Sequence, residues 1–378
     1  VVDARCGHVG HNRTVDPTRY GALRDLGLTD STLEYLRADH GDDARPWRVC
    51  RVDRDQCTVL GLGGDGAITS RRVRSPRAPV AVGDWVVLND VDPDRVGAIL
   101  NRTTVLRRGT VHTEGREQLI ASNLGVVFVV SAFATTDKLE RRGLNPRRIE
   151  RYVAAVLDGG ATPVAVLNKA DLPGYAPEEL DDLRRDLSGR LGGVEVVCVS
   201  ARTALGLDAL RRYLTPGDTV AFVGPSGVGK SSLINVLLGR PALDVGNVRT
   251  ADAKGRHTTS HRELITMPGG ALLVDTPGMR EFAVLTDSGE VFGFTDLEDL
   301  ARSCRFADCG HDSEPDCAVL AAIETGELDA DRLESYRALQ QDVHRLQTKH
   351  DALARHETRK KERAFGRLVR EATALKKR

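Results

Sequence analysis

The spacing of hydrophobic positions divides the chain into stretches of different character. Residues 1 to 18 show no apolar period. Tyr20 to Ala38 places Leu23, Leu26, Leu33 and Leu36 on one side of a helix, with Thr29 and Ser31 available as N-caps. From Trp47 to Leu106 the pattern shortens to alternating runs: Trp47–Val52, Cys57–Leu62, Ala67–Val73, Asp84–Leu88 and Val96–Leu100. Turn residues separate them at Gly63-Gly64-Asp65-Gly66, at Gly83 and at Asp92-Pro93-Asp94. Five or six short strands over about 60 residues predict a small β-barrel, and the pattern fits an OB-fold and an SH3-like barrel equally.

Leu124 to Gly278 reads differently. Continuous apolar runs at Val126–Val130, Val164–Leu167, Val194–Val199, Val220–Val223 and Ala271–Val274 alternate with helical stretches at Pro146–Leu157, Glu178–Leu191 and Lys230–Leu238. That alternation predicts a mostly parallel sheet covered on both faces, with Arg262–Met267 as an antiparallel edge strand. Beyond Glu281 the pattern breaks. A polar stretch from Cys304 to Cys317 precedes helical spacing at Leu333, Tyr336, Leu339, Val343 and Leu346. The expected fold class is therefore α/β and multidomain. Residues 1–45 are a partly disordered N-terminal extension, 46–115 a β-barrel, 116–285 a nucleotide domain, and 286–378 a C-terminal helical domain.

Composition adds little until it is read locally. The 378 residues carry 54 Lys and Arg against 54 Asp and Glu, so overall charge names no partner. From Arg355 to Arg378, however, ten basic residues face three Glu, as on a solvated helix face or a polyanion-binding tail. The apolar stretch Leu124 to Ala134 is too short to span a bilayer, no signal segment opens the chain, and no membrane association is expected. The 7 cysteines do not form the even set of a secreted disulfide framework, and a cytoplasmic protein is expected. Cys6, His8 and His11 lack a fourth ligand and read as part of a leader. Trp47 and Trp85 read as core or rim of the barrel, and Cys50, Cys57 and Cys198 as core.

Three short motifs carry the chemistry, and each follows an apolar run. Gly224-Pro225-Ser226-Gly227-Val228-Gly229-Lys230-Ser231, followed by Ser232, matches the phosphate-loop pattern at every fixed position. Its glycines let backbone N–H groups close around phosphates, Lys230 is placed for the β- and γ-phosphates, and Ser231 for Mg²⁺. Asn168-Lys169-Ala170-Asp171 supplies a carboxylate that can accept from guanine N1–H and N2–H₂, a donor pair adenine lacks. Ser200-Ala201 fits the loop that supports the base. Asp275-Thr276-Pro277-Gly278 offers a carboxylate for Mg²⁺ and the Gly278 N–H for the γ-phosphate. The order is unusual: the base-reading tetrapeptide precedes the phosphate loop, as in a circularly permuted GTPase.

Between the phosphate loop and Asp275 lies Lys254-Gly255-Arg256-His257-Thr258-Thr259, where a first switch belongs. Thr258, in preference to Thr259, is expected to complete the Mg²⁺ shell. Many GTPases place a water-orienting Gln after Gly278, and here Met279 stands there. His257 is the nearest group that could act on water, and a solvated structural histidine is the competing reading.

Cys304, Cys309, His311 and Cys317 bring three sulfurs and one imidazole into a short segment, a donor set suited to one structural Zn²⁺. The alternative is a group of buried thiols, but Asp308, Gly310, Asp312, Glu314, Pro315 and Asp316 leave little apolar core around them.

Together these motifs, with Ile120-Ala121-Ser122-Asn123 and Gly255-Arg256-His257-Thr258-Thr259, resemble the small-subunit-dependent GTPase family called RsgA or YjeQ, from about Trp47 to the C-terminus. The resemblance implies an OB-fold, a permuted GTPase domain and a zinc-binding C-terminal domain. It also implies GTP hydrolysis stimulated by the small ribosomal subunit, a role in late maturation of that subunit, and contact with rRNA, by a monomer. The competing function is an RNA-binding barrel and zinc module whose nucleotide site scarcely turns over. A phosphate-loop ATPase or kinase is disfavoured by Asp171.

Overall fold

The computed structural model describes residues 20–108, 118–133, 144–172, 176–241, 262–275, 291–345 and 348. The barrel is built by β1 (Pro46–Val52), β2 (Gln56–Leu62), β3 (Ile68–Arg74), β4 (Trp85–Leu88) and β5 (Val96–Ile99). β1 pairs with β2 and β4, β2 with β3, and β4 with β5, all antiparallel. A parallel bridge from Arg74 to Arg95 brings β3 back to the β5 end. The ring β1-β2-β3-β5-β4-β1 is the strand order of an OB-fold, which settles the choice the alternating pattern leaves open. Val49, Cys57, Val59, Val73, Val86 and Val96 fill its interior. Trp85 is fully buried and Trp47 half-buried, with the Trp47 ring lying where a side chain at Gly61 would be.

The nucleotide sheet contains β8 (Val126–Ala132), β9 (Thr162–Asn168), β10 (Val196–Cys198), β11 (Thr219–Val223), β12 (Arg262–Thr266) and β13 (Leu272–Asp275). Its order is β10-β9-β8-β11-β13-β12, with only β12 antiparallel. Side-chain alternation serves both faces. Phe128, Val130, Val166 and Phe222 pack toward Leu207, Leu233, Ile234 and Leu237. Val127, Val129, Ala165 and Val223 pack toward Ile149, Tyr152, Val153 and Leu187. The helix Pro146–Asp158 starts as its sequence dictates: the Asn145 side chain accepts from Arg148 N–H at 3.0 Å, and Pro146 takes the first position, where no N–H is needed.

Two features depart from the sequence reading. Arg262–Met267 was expected at a sheet edge, but β12 also pairs with β1 through Arg51–Glu263 and Val52–Arg262. Barrel and nucleotide sheets are thus one continuous surface, because β4 pairs β1 only at Pro46–Arg48 and leaves the other edge of Arg51 and Val52 to β12. The β6 (Val105–Arg108) and β7 (Gln118–Ser122) hairpin is the second departure. It lies across the expected boundary at residue 115 and carries no strong alternation.

Residues 20–45 are not an idle extension. A short turn at Gly21–Arg24 and a helix at Asp30–His40, capped by Thr29 at 3.2 Å, bury Tyr20, Leu23, Leu26, Leu28, Leu33 and Leu36. At the same junction the buried Arg48 guanidinium donates to Thr219 Oγ1 at 3.2 Å and Asn123 O at 3.3 Å and lies over the Trp85 ring. Burial pulls the Arg48 pKa down to about 10, with Asp84 opposing that shift.

The C-terminal module packs on helix Pro146–Asp158 through Phe294, Leu297, Val319, Leu328 and Leu333. It holds helices Thr295–Ala301, Ala318–Thr325 and 330–345. Arg332, itself buried, donates to Glu150 Oε1 at 3.0 Å and to Asp296 at 2.8 and 3.0 Å, while Arg190 reaches the same Glu150 oxygen at 2.7 Å. Buried charges of this kind hold their partners in place because removing one leaves the others uncompensated.

Candidate functional site

The motifs gather at the carboxyl ends of the parallel strands, where open α/β sheets place their ligands. β11 runs into Gly224–Ser231, β9 into Asn168–Asp171, β10 into Ser200-Ala201, and β13 ends on Asp275.

The phosphate loop takes its shape from its glycines. Gly224, Gly227 and Gly229 have φ of 140°, 87° and 93°. A Cβ on Gly224 would lie 2.2 Å from Val130 O, and one on Gly229 would lie 2.3 Å from Asn168 Nδ2. Helix Lys230–Leu238 begins directly after Gly229, so its first N–H groups face the loop. The Lys230 ammonium sits over the loop, 2.7 Å from both Gly224 O and Pro225 O. Burial brings its pKa down to about 8.

Asn168 ties the permuted parts together. Its buried amide donates to Val228 O at 2.8 Å and accepts from Ala201 N–H at 3.1 Å. Lys169, in the left-handed region at φ 66°, stretches across the phosphate loop to Gly227 O at 2.9 Å. Ser200 Oγ accepts from the N–H groups of Arg202 and Thr203 at 3.2 and 3.1 Å, so its own proton points to Asp171 Oδ1, 2.5 Å away. Arg202 Nε meets Asp171 Oδ2 at 2.6 Å. The Ser200 hydroxyl and then Arg202 hold the Asp171 carboxyl below its ordinary range. Sequence reasoning did not single out Arg202, although it directly follows Ser200-Ala201.

Asp275 lies one strand from the phosphate loop and is half-buried. Burial, and then the neighbouring Glu263, push its pKa up. Gly255, Arg256, His257, Thr258, Thr259, Thr276, Pro277, Gly278 and Met279 lie outside the described residues, as do Cys6, His8, His11 and the tail from Arg355.

The cysteine cluster does come together. Cys304 Sγ lies 3.8 Å from Cys317 Sγ and 3.6 Å from His311 Nδ1, and Cys317 Sγ lies 3.4 Å from His311 Nδ1. With Cys309, all four donor atoms fall within 4.8 Å of one another. A tetrahedral ion with Zn–S bonds of about 2.3 Å puts its sulfurs about 3.8 Å apart, so the donor set fits zinc. Glu314 organises the loop by accepting from the N–H groups of Gly310, Asp312 and Ser313 at 2.8, 2.8 and 3.0 Å. Its own backbone N–H and those of Gly310, Ser313 and Asp312 bring its pKa down to about 2. Arg337 adds a bond to His311 O at 2.7 Å. Neither residue stood out in the sequence, because an isolated Glu or Arg beside a cluster has no spacing signature.

Among the described residues no helix is long and apolar enough to cross a membrane. The family model for the RsgA GTPase matches residues 99–285. The small ribosomal subunit biogenesis GTPase RsgA of Streptomyces coelicolor is 39% identical over 371 residues, covering 96% of this chain and 98% of that protein. That match leaves about 15 residues of 378 uncovered, so the likeness extends into the N-terminal segment, beyond the start at Trp47 that the motifs alone support. The protein of the same name from Methanosarcina acetivorans is 44% identical over 301 residues, covering 77% of this chain and 78% of that one. Among solved structures, YjeQ from Thermotoga maritima matches with a TM-score of 0.57 and 25% identity, over 79% of this chain and 98% of that chain. YloQ, a circularly permuted GTPase, matches in fold with a TM-score of 0.54 and 22% identity, over 81% and 97% of the two chains. Loop order, fold and sequence agree: this chain belongs to the RsgA GTPase family and is a GTP hydrolase.

Proposed function

We propose that the chain couples GTP hydrolysis to late maturation of the small ribosomal subunit, working in the cytoplasm as a monomer that touches rRNA. The observation that carries this reading is Asn168, whose one amide joins the base-reading, supporting and phosphate loops into a single guanine-nucleotide site. The name of the Streptomyces coelicolor relative supports the subunit as partner.

In this reading Asp171 selects guanine and the Ser200-Ala201 loop supports the base. Gly224, Pro225, Ser226, Gly227, Val228, Gly229 and Ser232 enclose the phosphates. Lys230 neutralises charge on the β- and γ-phosphates, and the Gly278 N–H meets the γ-phosphate. Ser231, Thr258 and Asp275 would hold Mg²⁺, which would supply positive charge to offset that of the phosphates. Cys304, Cys309, His311 and Cys317 would hold a structural zinc.

Met279 cannot orient water, so catalysis needs His257 or a group supplied by the particle. The same residue favours a second reading, a nucleotide-binding RNA module that scarcely turns over. Single-turnover GTP hydrolysis with small and large subunits added separately decides between them. Stimulation of orders of magnitude by small subunits alone is expected. Equal rates with either subunit or with none would refute the coupling, and unchanged stimulated turnover in His257→Ala would clear that residue.

A further inference from the structure

We propose that Arg202 gates the guanine-reading carboxylate: its guanidinium pairs with Asp171 and must leave before guanine can bind. The proposal rests on the reading of Asp171 given above. Both Nε and the Nη2 of Arg202 lie 2.6 Å from the same oxygen, Asp171 Oδ2. Each carboxylate oxygen has two acceptor sites, so the guanidinium fills Oδ2. Ser200 uses one site on Oδ1. Its orientation is fixed, since two backbone N–H groups fill its lone pairs and force its proton toward Asp171.

Guanine brings two parallel donors, N1–H and N2–H₂, which need one site on each oxygen. Ser200 can stay when the base arrives. Arg202 cannot. The asymmetry in exposure suits a gate: the Arg202 side chain is 75% exposed and free to swing out, while Asp171 is 10% exposed and fixed. A base without that donor pair, such as adenine, offers nothing in exchange for the broken ion pair. The cost of parting the pair is the same for either base, so Arg202 slows entry while the choice between bases stays with Asp171. The size of the effect is bounded, because an exposed ion pair contributes at most about 1 kcal/mol, or about fivefold.

The test is stopped-flow binding of fluorescent GDP to the full chain and to Arg202→Gln, which removes the charge at an exposed position. GDP should associate up to about fivefold faster with the variant. The gap should close as salt rises, because salt already weakens the pair in the parent protein. A second arm uses Asp171→Asn with fluorescent XDP. There the carboxylate is gone, and adding Arg202→Gln should give no acceleration, only whatever slowing comes from lost attraction to phosphates. Unchanged or slower GDP association in Arg202→Gln overturns the gate. If Asp171→Asn still prefers guanine over xanthine, the carboxylate does not read the base and the gate falls with that reading.

Discussion

Glu263 lies directly opposite Asp275 across the β12–β13 ladder, so two carboxylates share one end of the nucleotide sheet. On its other flank Glu263 stands opposite Arg51 of the barrel. Opposed residues in a ladder project to the same face. A row of charge therefore runs from the barrel, through β12, to the aspartate proposed for Mg²⁺.

The row predicts a pH effect. Burial and Glu263 both raise the Asp275 pKa, so protons compete with Mg²⁺ at mildly acid pH more than at an ordinary aspartate. Mg²⁺-dependent GTP turnover should fall as pH drops through that raised value. Glu263→Gln removes the like charge and should move the acid limb to lower pH. A limb at the same pH in both proteins would show that burial alone sets it.

Gly229 predicts the cost of a single methyl group. Its φ of 93° is unfavourable for any L side chain, and the added Cβ would strike the Asn168 amide that links the loops. Gly229→Ala should lower guanine-nucleotide affinity by about fivefold or more, since strain of about 1–3 kcal/mol falls on the bound geometry. Global stability should change less, because the loop tip contributes little core. Calorimetric titration with GDP, alongside thermal unfolding, separates the two. Equal losses in both would mean the substitution damages the fold and not the site.

Much of this site was legible because its chemistry lies in short contiguous motifs, each at the end of an apolar run. Gly224–Ser231 and Asn168–Asp171 need no knowledge of the fold to be found, and their order alone indicates permutation. The barrel strands were legible for a similar reason, since alternation marks Cys57–Leu62 and Val96–Leu100 locally. What was not legible depends on pairs far apart in sequence. Nothing in Arg51 or Glu263 announces that β1 and β12 pair, since both strands carry ordinary alternation. Arg332 and Glu150 are 182 positions apart, and each reads as a surface residue until folding buries both. The helix at Asp30–His40 was visible, but its burial against the barrel–sheet junction was not, because a polar-rich helix gives no sign of what covers it.

Zinc should behave as part of the C-terminal fold. Metal analysis of freshly purified protein should find about one equivalent, and in such sites metal binding free energy is folding free energy. Chelation should raise hydrogen exchange across residues 295–345, including the helix whose Arg337 holds His311 O. The helix that follows the phosphate loop packs on the opposite sheet face from this module, so GDP affinity should change little. Less than a tenth of an equivalent in unchelated protein would reject the site, and loss of GDP binding on chelation would reject its independence.

Lys230 gives the sharpest test of the phosphate site. In the free protein burial holds its pKa near 8 instead of the ordinary 10.5. Nucleotide phosphates favour the charged form and raise that pKa again. Binding therefore takes up a proton at pH values above about 8 and none well below. Affinity for GDP should be flat from pH 6.5 to about 7.5, then fall as pH rises, by up to about one decade per pH unit. Lys230→Arg supplies the control, because a guanidinium stays charged throughout this range even though it fits the loop less well. Its affinity should be lower at neutral pH but nearly independent of pH until the guanine N1–H itself begins to ionise. Measuring GDP affinity for both proteins from pH 6.5 to 9.5 checks the argument. Parallel curves would place the titrating group elsewhere, and a flat parent curve would mean that the ammonium of Lys230 stays charged despite its burial.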